Sequence, residues 1–126
     1  MDSTLDTPPI SASAMAQLLW ATPFRFSSED QLQGAMEQLF LSKGIPHTRE
    51  VRLSAKDRID FMVGRIGIEV KVKQSAETVE RQLLRYAQHE EVDSLILVTS
   101  RSGHRMIQRM ANGKSVLVVY LIASIF

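Results

Sequence analysis

The chain has 126 residues, with 15 Lys and Arg against 14 Asp and Glu for a net charge of +1, and it contains no cysteine. That length holds one domain with a real core, and the absence of cysteine excludes disulfides and thiolate-bound zinc and fits a reducing, cytoplasmic setting. A net charge this small excludes bulk polycation chemistry, so any nucleic-acid contact must come from how the charges are distributed.

Residues 1–14, with Thr7-Pro8-Pro9 and scattered Ser and Ala, read as a flexible leader, and residues 15–126 as a single domain. Leu18, Leu19, Trp20, Phe24 and Phe26 are too apolar to float free, so the stretch from Ala14 to Phe26 predicts a short helix and turn docked on that domain. No secretory pattern opens the chain. Ser28-Glu29-Asp30-Gln31 then marks a helix start with a capping box. Apolar Leu32, Met36, Leu39 and Phe40 follow at helical spacing, and Gly44 and Pro46 end a helix over 29–43. Glu37 stands on the margin of that apolar stripe.

A strand over 47–54 carries Arg49 and Arg52, with Lys56 just after it, as candidate phosphate contacts. Two strands follow, 58–63 and 66–73, joined by Gly64-Arg65, a pair that favours a two-residue type II′ turn. The turn fixes the register. Val63 should face Ile66, Phe61 should face Ile68 and Ile59 should face Val70, all on one apolar face, because alternation allows no slip by one residue. On the other face Asp60 falls opposite Glu69, and Lys71 lies on the same side as Glu69. Like charges at roughly 4.5–5.5 Å cost up to about 1 kcal/mol. A divalent cation would offset that cost: Mg²⁺ takes one or two carboxylates, a carbonyl and several waters. The alternative is a surface ion-pair patch satisfied by Arg58, Lys71 and Lys73.

A helix over 76–91 places Gln82 and Tyr86 on one face at spacing four, where Tyr86 serves either as core beside Val79, Leu83 and Ala87 or as a hydrogen-bonding partner for a site. A strand over 94–99, a helix over 103–111 and a strand over 115–123 complete the chain. Arg101, Arg105 and Arg109 would line one side of that last helix, as a phosphate-binding row or as an ordinary solvated face. The apolar run from Val116 to Phe126 is too short to span a membrane and suits a buried strand or a dimer edge.

Asp60, followed after a short loop by Glu69-Val70-Lys71, resembles the PD-(D/E)XK nuclease superfamily, with Ile59 in place of the literal proline. The α-β-β-β-α-β order over roughly residues 28–100 is similar to that superfamily's core, and Gln82-Leu83-Leu84-Arg85-Tyr86 resembles the Gln-X-X-X-Tyr element of its RecB and lambda-exonuclease branch. The resemblance implies a restriction-endonuclease-like α/β fold, a mixed central sheet flanked by helices, with an extra C-terminal helix and strand. It implies a Mg²⁺- or Mn²⁺-dependent deoxyribonuclease, of exonuclease or end-processing type. A structure-specific or restriction-type endonuclease or junction resolvase, and a non-catalytic nucleic-acid-binding or assembly module on the same fold, are its alternatives. Asp60, Glu69 and the Val70 carbonyl would hold the ion, Glu37 would join them as a first-helix glutamate, and Lys71, Gln82 and Tyr86 would complete the site. DNA would lie along Lys73, Arg101, Arg105 and Arg109, with a homo-oligomer or partner subunits assisting a domain this small.

Overall fold

A computed structural model describes residues 9–122. Three helices, α1 (Ala12–Ala21), α2 (Glu29–Ser42) and α3 (Ala76–Tyr86), flank six strands: β1 (Thr48–Arg52), β2 (Arg58–Val63), β3 (Ile66–Lys71), β4 (Ser94–Thr99), β5 (Met110–Ala111) and β6 (Lys114–Tyr120). The strands form one mixed sheet in the order β1-β2-β3-β4-β6-β5. Pairing is antiparallel from β1 to β3 and between β5 and β6, and parallel through β3, β4 and β6. The fold is therefore α/β. Among the described residues no helix is long and apolar enough to cross a membrane.

Residues 1–8 of the expected leader lie outside the described residues, while residues 12–14 already belong to α1. Ser11 caps that helix by accepting from the Ala14 N–H at 3.1 Å. Met15 and Leu19, one turn apart, are buried, and Trp20 on the opposite side is exposed. Ser28 caps α2 by accepting from the Gln31 N–H, Glu29 and Asp30 place negative charge at its positive end, and Gly44 at φ 65° follows its last turn. Leu32, Met36 and Phe40 pack with α1 against one sheet face, on Phe61, Ile68, Val70, Ile96 and Val98. Val79, Leu83 and Tyr86 of α3 cover the other face, on Ile59, Leu95 and Leu97.

The β2–β3 hairpin has the expected register near its turn, with Val63 opposite Ile66, Met62 opposite Gly67 and Phe61 opposite Ile68. Gly64 has φ 57° and Arg65 does not share that sign, the pattern of a type II′ turn. Further along, the expectation fails. Val70 packs on the α1 and α2 side, but Ile59 packs on the α3 side, so the two do not face each other. Ladder pairing stops at Phe61 and Ile68 because two side chains replace the backbone. Glu69 Oε1 accepts from the Asp60 N–H at 3.1 Å, and Asp60 Oδ2 accepts from the Val70 N–H at 2.8 Å. On the β1 side, Glu50 occupies the gap between the Arg49–Phe61 and Val51–Ile59 pairs and adopts φ 51°.

Ile59 fits on the α3 face because Gly67 leaves room for it. A Cβ on residue 67 would lie 2.5 Å from Ile59 Cδ1 and 3.0 Å from Leu95 Cδ2, and both residues are fully buried. Gly67→Ala is expected to lower stability by about 1–3 kcal/mol through overpacking, and Ile59→Val, which removes the clashing methyl, should restore part of it. Urea unfolding of the single and double variants measures both effects.

The expected helix over 103–111 is replaced by a 3₁₀ turn at Ser102–Met106 and a tight hairpin between β5 and β6. Asn112 at φ 50° and Gly113 at φ 75° form its two-residue loop, the dihedral signs a type I′ turn requires. With β5 in place of the helix's last turn, Arg101, Arg105 and Arg109 no longer form a helical row.

Candidate active site

The break in the β2–β3 ladder creates the site. Where the strands part, Asp60 and Glu69 stand on adjacent strands, each carboxylate accepting the backbone N–H that a partner carbonyl would otherwise have taken. Glu69 is 2% exposed. Its Oε2 accepts from the Tyr86 hydroxyl at 3.1 Å and lies 3.4 Å from the Lys71 ammonium. The Tyr86 hydroxyl also reaches the Arg58 carbonyl at 2.9 Å and accepts from Gln82 Nε2 at 2.7 Å. Spacing four on α3 makes that last contact, and α3 is held over the sheet by Val79 and Leu83.

These side chains open into one polar cavity of about 530 Å³, whose lining includes Asp60, Glu69, Lys71, Gln82 and Tyr86. Burial raises the Asp60 carboxyl above its ordinary value. Burial raises Glu69 further, with the neighbouring Asp60 charge adding to the shift and Lys71 opposing it. The Tyr86 hydroxyl is likewise raised by burial and by Glu69, so it stays a proton donor. One ammonium does not neutralise two carboxylates, so a proton or a second cation is needed to settle the pair.

Five of the candidate residues, Asp60, Glu69, Lys71, Gln82 and Tyr86, thus come together. Others do not. Glu37 does not line this cavity: its carboxylate is taken by His47 Nε2 at 2.6 Å and Arg49 Nη1 at 3.2 Å, a contact tying α2 to β1. That pairing lowers Glu37, chiefly through the His47 hydrogen bond. β3 ends at Lys71, so Lys73 lies beyond the strand, exposed, with its carbonyl taken by Arg101. Arg105 stacks on the Tyr120 ring at 4.9 Å, and Arg109 donates to the Ile107 and Arg105 carbonyls. None of these four cations lines the cavity.

The cavity adds residues that sequence spacing passed over. Glu29 lines it and accepts the Val72 N–H at 2.9 Å, and its charge contributes to raising Asp60. In the sequence it reads only as part of the helix start, which gives no sign of this reach. Gln33, one turn on, lines it as well and holds Arg49. The left-handed Glu50 lines its β1 side, a strained position of the kind that clusters at functional sites.

Among the described residues, no three His, Cys, Asp or Glu side chains are grouped to enclose a metal ion. The donor set instead suits an ion that keeps most of its water: two adjacent carboxylates raised by burial, at the wall of an open polar cavity. Comparison of the chain with protein-family models, curated proteins and solved structures gave no match.

Proposed function

We propose that the protein is a metal-dependent deoxyribonuclease of the PD-(D/E)XK type, with a restriction-endonuclease-like core made by α2-β1-β2-β3-α3-β4. One observation carries this reading: the Asp60–Glu69 pair, with Glu69 buried and Asp60 partly so, shares one polar cavity with Lys71, Gln82 and Tyr86. A surface ion-pair patch would leave these carboxylates solvated, and exposed pairs of that kind contribute little. Glu69 is buried, and its partners come from three elements.

In this reading Asp60, Glu69 and the Val70 carbonyl hold Mg²⁺ or Mn²⁺, and Glu29, which lines the cavity where Glu37 does not, is a helix carboxylate placed to assist. Bound there, a divalent ion supplies charge neutralisation at the phosphate and lowers the pKa of water. The chain's own groups do the positioning. Tyr86 fixes the orientation of Glu69 by hydrogen bonding to Oε2, and Gln82 fixes Tyr86. The Lys71 ammonium, already pointed into the cavity by Glu69, offsets negative charge building on the phosphoryl oxygens while water attacks phosphorus and the P–O ester bond breaks. The leaving oxygen takes up a proton. The Gln82–Tyr86 pair favours an enzyme that works at or near DNA ends. Among the described residues β6 pairs with β5 at Lys114 and Ser115 alone, so a second copy can add along the same edge beyond Val116.

The test is incubation of the protein with Mg²⁺ or Mn²⁺ and end-labelled single-stranded, duplex and branched DNAs. Products are expected on at least one of them and none with EDTA. No product on any, or cleavage that survives EDTA, contradicts the reading.

A further inference from the structure

The turn between β1 and β2 is built as though to present positive charge. Arg52 and Arg58 stand directly opposite each other in the β1–β2 ladder, so two guanidinium groups share one face at cross-strand distance, an arrangement that repels unless an anion lies between or beside them. Lys56 sits in the turn that joins them. All three are exposed, none is ion-paired among the described residues, and all three line the cavity that holds Asp60 and Glu69.

The turn itself is pinned. The Asp57 carbonyl accepts the N–H groups of Leu53 and Ser54, and Ser54 Oγ accepts those of Lys56 and Asp57. The buried Asp57 carboxylate is held by Arg85 at 3.1 Å and His89 at 2.9 Å, which ties the turn to the end of α3. Arg52 Nη1 donates to the Ala55 carbonyl inside the same turn. A mobile loop would spread its cations; this one is held in place before any ligand arrives.

We propose that Arg52, Lys56 and Arg58 form a phosphate clamp that grips the DNA backbone beside the bond to be cut, and that this turn, not the 101–109 segment, is the DNA-binding face. Naming DNA as the ligand rests on the nuclease reading of Asp60 and Glu69; the anion site rests on the turn. Guanidinium groups suit the role because they meet phosphate oxygens bidentately. The arginines of the 101–109 segment do not line that cavity, and Arg105 lies over the Tyr120 ring.

Fluorescence anisotropy of a labelled DNA oligonucleotide, in EDTA over a series of salt concentrations, tests this. The triple variant Arg52→Gln/Lys56→Gln/Arg58→Gln is expected to bind roughly tenfold or more weakly, with the slope of log K against log salt reduced by about two to three, near 0.9 per lost phosphate contact. Arg101→Gln/Arg105→Gln/Arg109→Gln should keep the wild-type slope. Arg58→Gln alone should weaken binding with a Tm no lower than wild type, since it removes a repulsion, which separates lost contacts from lost fold. A turn variant that binds as wild type does, or a slope that falls only in the 101–109 variant, overturns the clamp. So does wild-type protein that fails to bind DNA at low salt. Cleavage is read separately: DNA that is bound through the turn but never cut in Mg²⁺ fails the nuclease reading and leaves the clamp standing. DNA cut by the turn variant with an unchanged KM overturns the clamp and leaves the nuclease reading intact.

Discussion

Asp60→Asn, and separately Glu69→Gln, are expected to lower DNA cleavage in Mg²⁺ by about 10²–10³-fold or more, a barrier increase of roughly 3–4 kcal/mol, while the fold is kept. The amides preserve what holds the hairpin. An amide oxygen at position 60 can still accept the Val70 N–H, and one at position 69 can still accept the Asp60 N–H, the two contacts that replace the ladder. What is lost is the negative charge that would hold a cation. Lys71→Met should fall in the same range for a different reason, the loss of a cation already aimed into the cavity from 3.4 Å off Glu69. Tyr86→Phe should be milder, because it removes a hydrogen bond that orients Glu69 and leaves the carboxylate itself. Initial rates on end-labelled DNA, beside circular dichroism of each variant, measure this. Wild-type rates in the Asp60 or Glu69 variant would remove the pair from the chemistry.

The second large effect concerns stability without a metal. Burial and the Asp60 charge raise the Glu69 carboxyl from 4.5 to about 8. Over that window the folded protein keeps a proton that the unfolded chain has released, so folding binds protons and stability falls as pH rises. The protein in EDTA is therefore expected to be most stable below about pH 4.5 as far as this group is concerned, and to lose that contribution progressively until pH passes 8. Glu69→Gln has no proton to lose there, so its profile over the same window should be flatter and its stability at the alkaline end higher than wild type. Saturating Mn²⁺ should reverse the wild-type loss, since a bound cation replaces the missing proton; at a hundredfold excess over Kd it adds about 2.7 kcal/mol. Thermal unfolding across pH, with and without Mn²⁺, reads all three. A wild-type profile that stays level through the window would mean that Glu69 is not held buried beside Asp60.

Much of the site was legible because it depends on short-range geometry. Alternation and Gly64 were enough to set the register from Val63 to Phe61, and spacing four was enough to put Gln82 beside Tyr86. The break at Asp60 was not legible. It arises because two carboxylates capture backbone N–H groups in place of carbonyls, a choice that pairing rules for regular strands do not contain. Ile59 crosses to the α3 face as a result, and the space that Gly67 leaves for it depends on a neighbouring strand.

Glu37 and Glu29 show a second limit. Both lie on α2, where Glu37 is singled out by its place at the margin of the apolar stripe and Glu29 reads only as part of the helix start. His47, ten residues on, claims Glu37, while Glu29 reaches across to Val72, forty-three residues on. Such partners are set by tertiary packing. The C-terminal helix was a different kind of miss, since Asn112-Gly113 is a strong hairpin signal in plain view. The regular spacing of three arginines outweighed it, although a helix of nine residues containing Gly103 has little intrinsic stability.

Titration calorimetry with Mn²⁺ tests most directly whether the Asp60–Glu69 pair is a cation site. Wild-type protein should bind the ion with a resolvable heat, and the Asp60→Asn/Glu69→Gln double variant should show none. Wild-type protein that binds no Mn²⁺, or a double variant that binds it as well, would contradict the account.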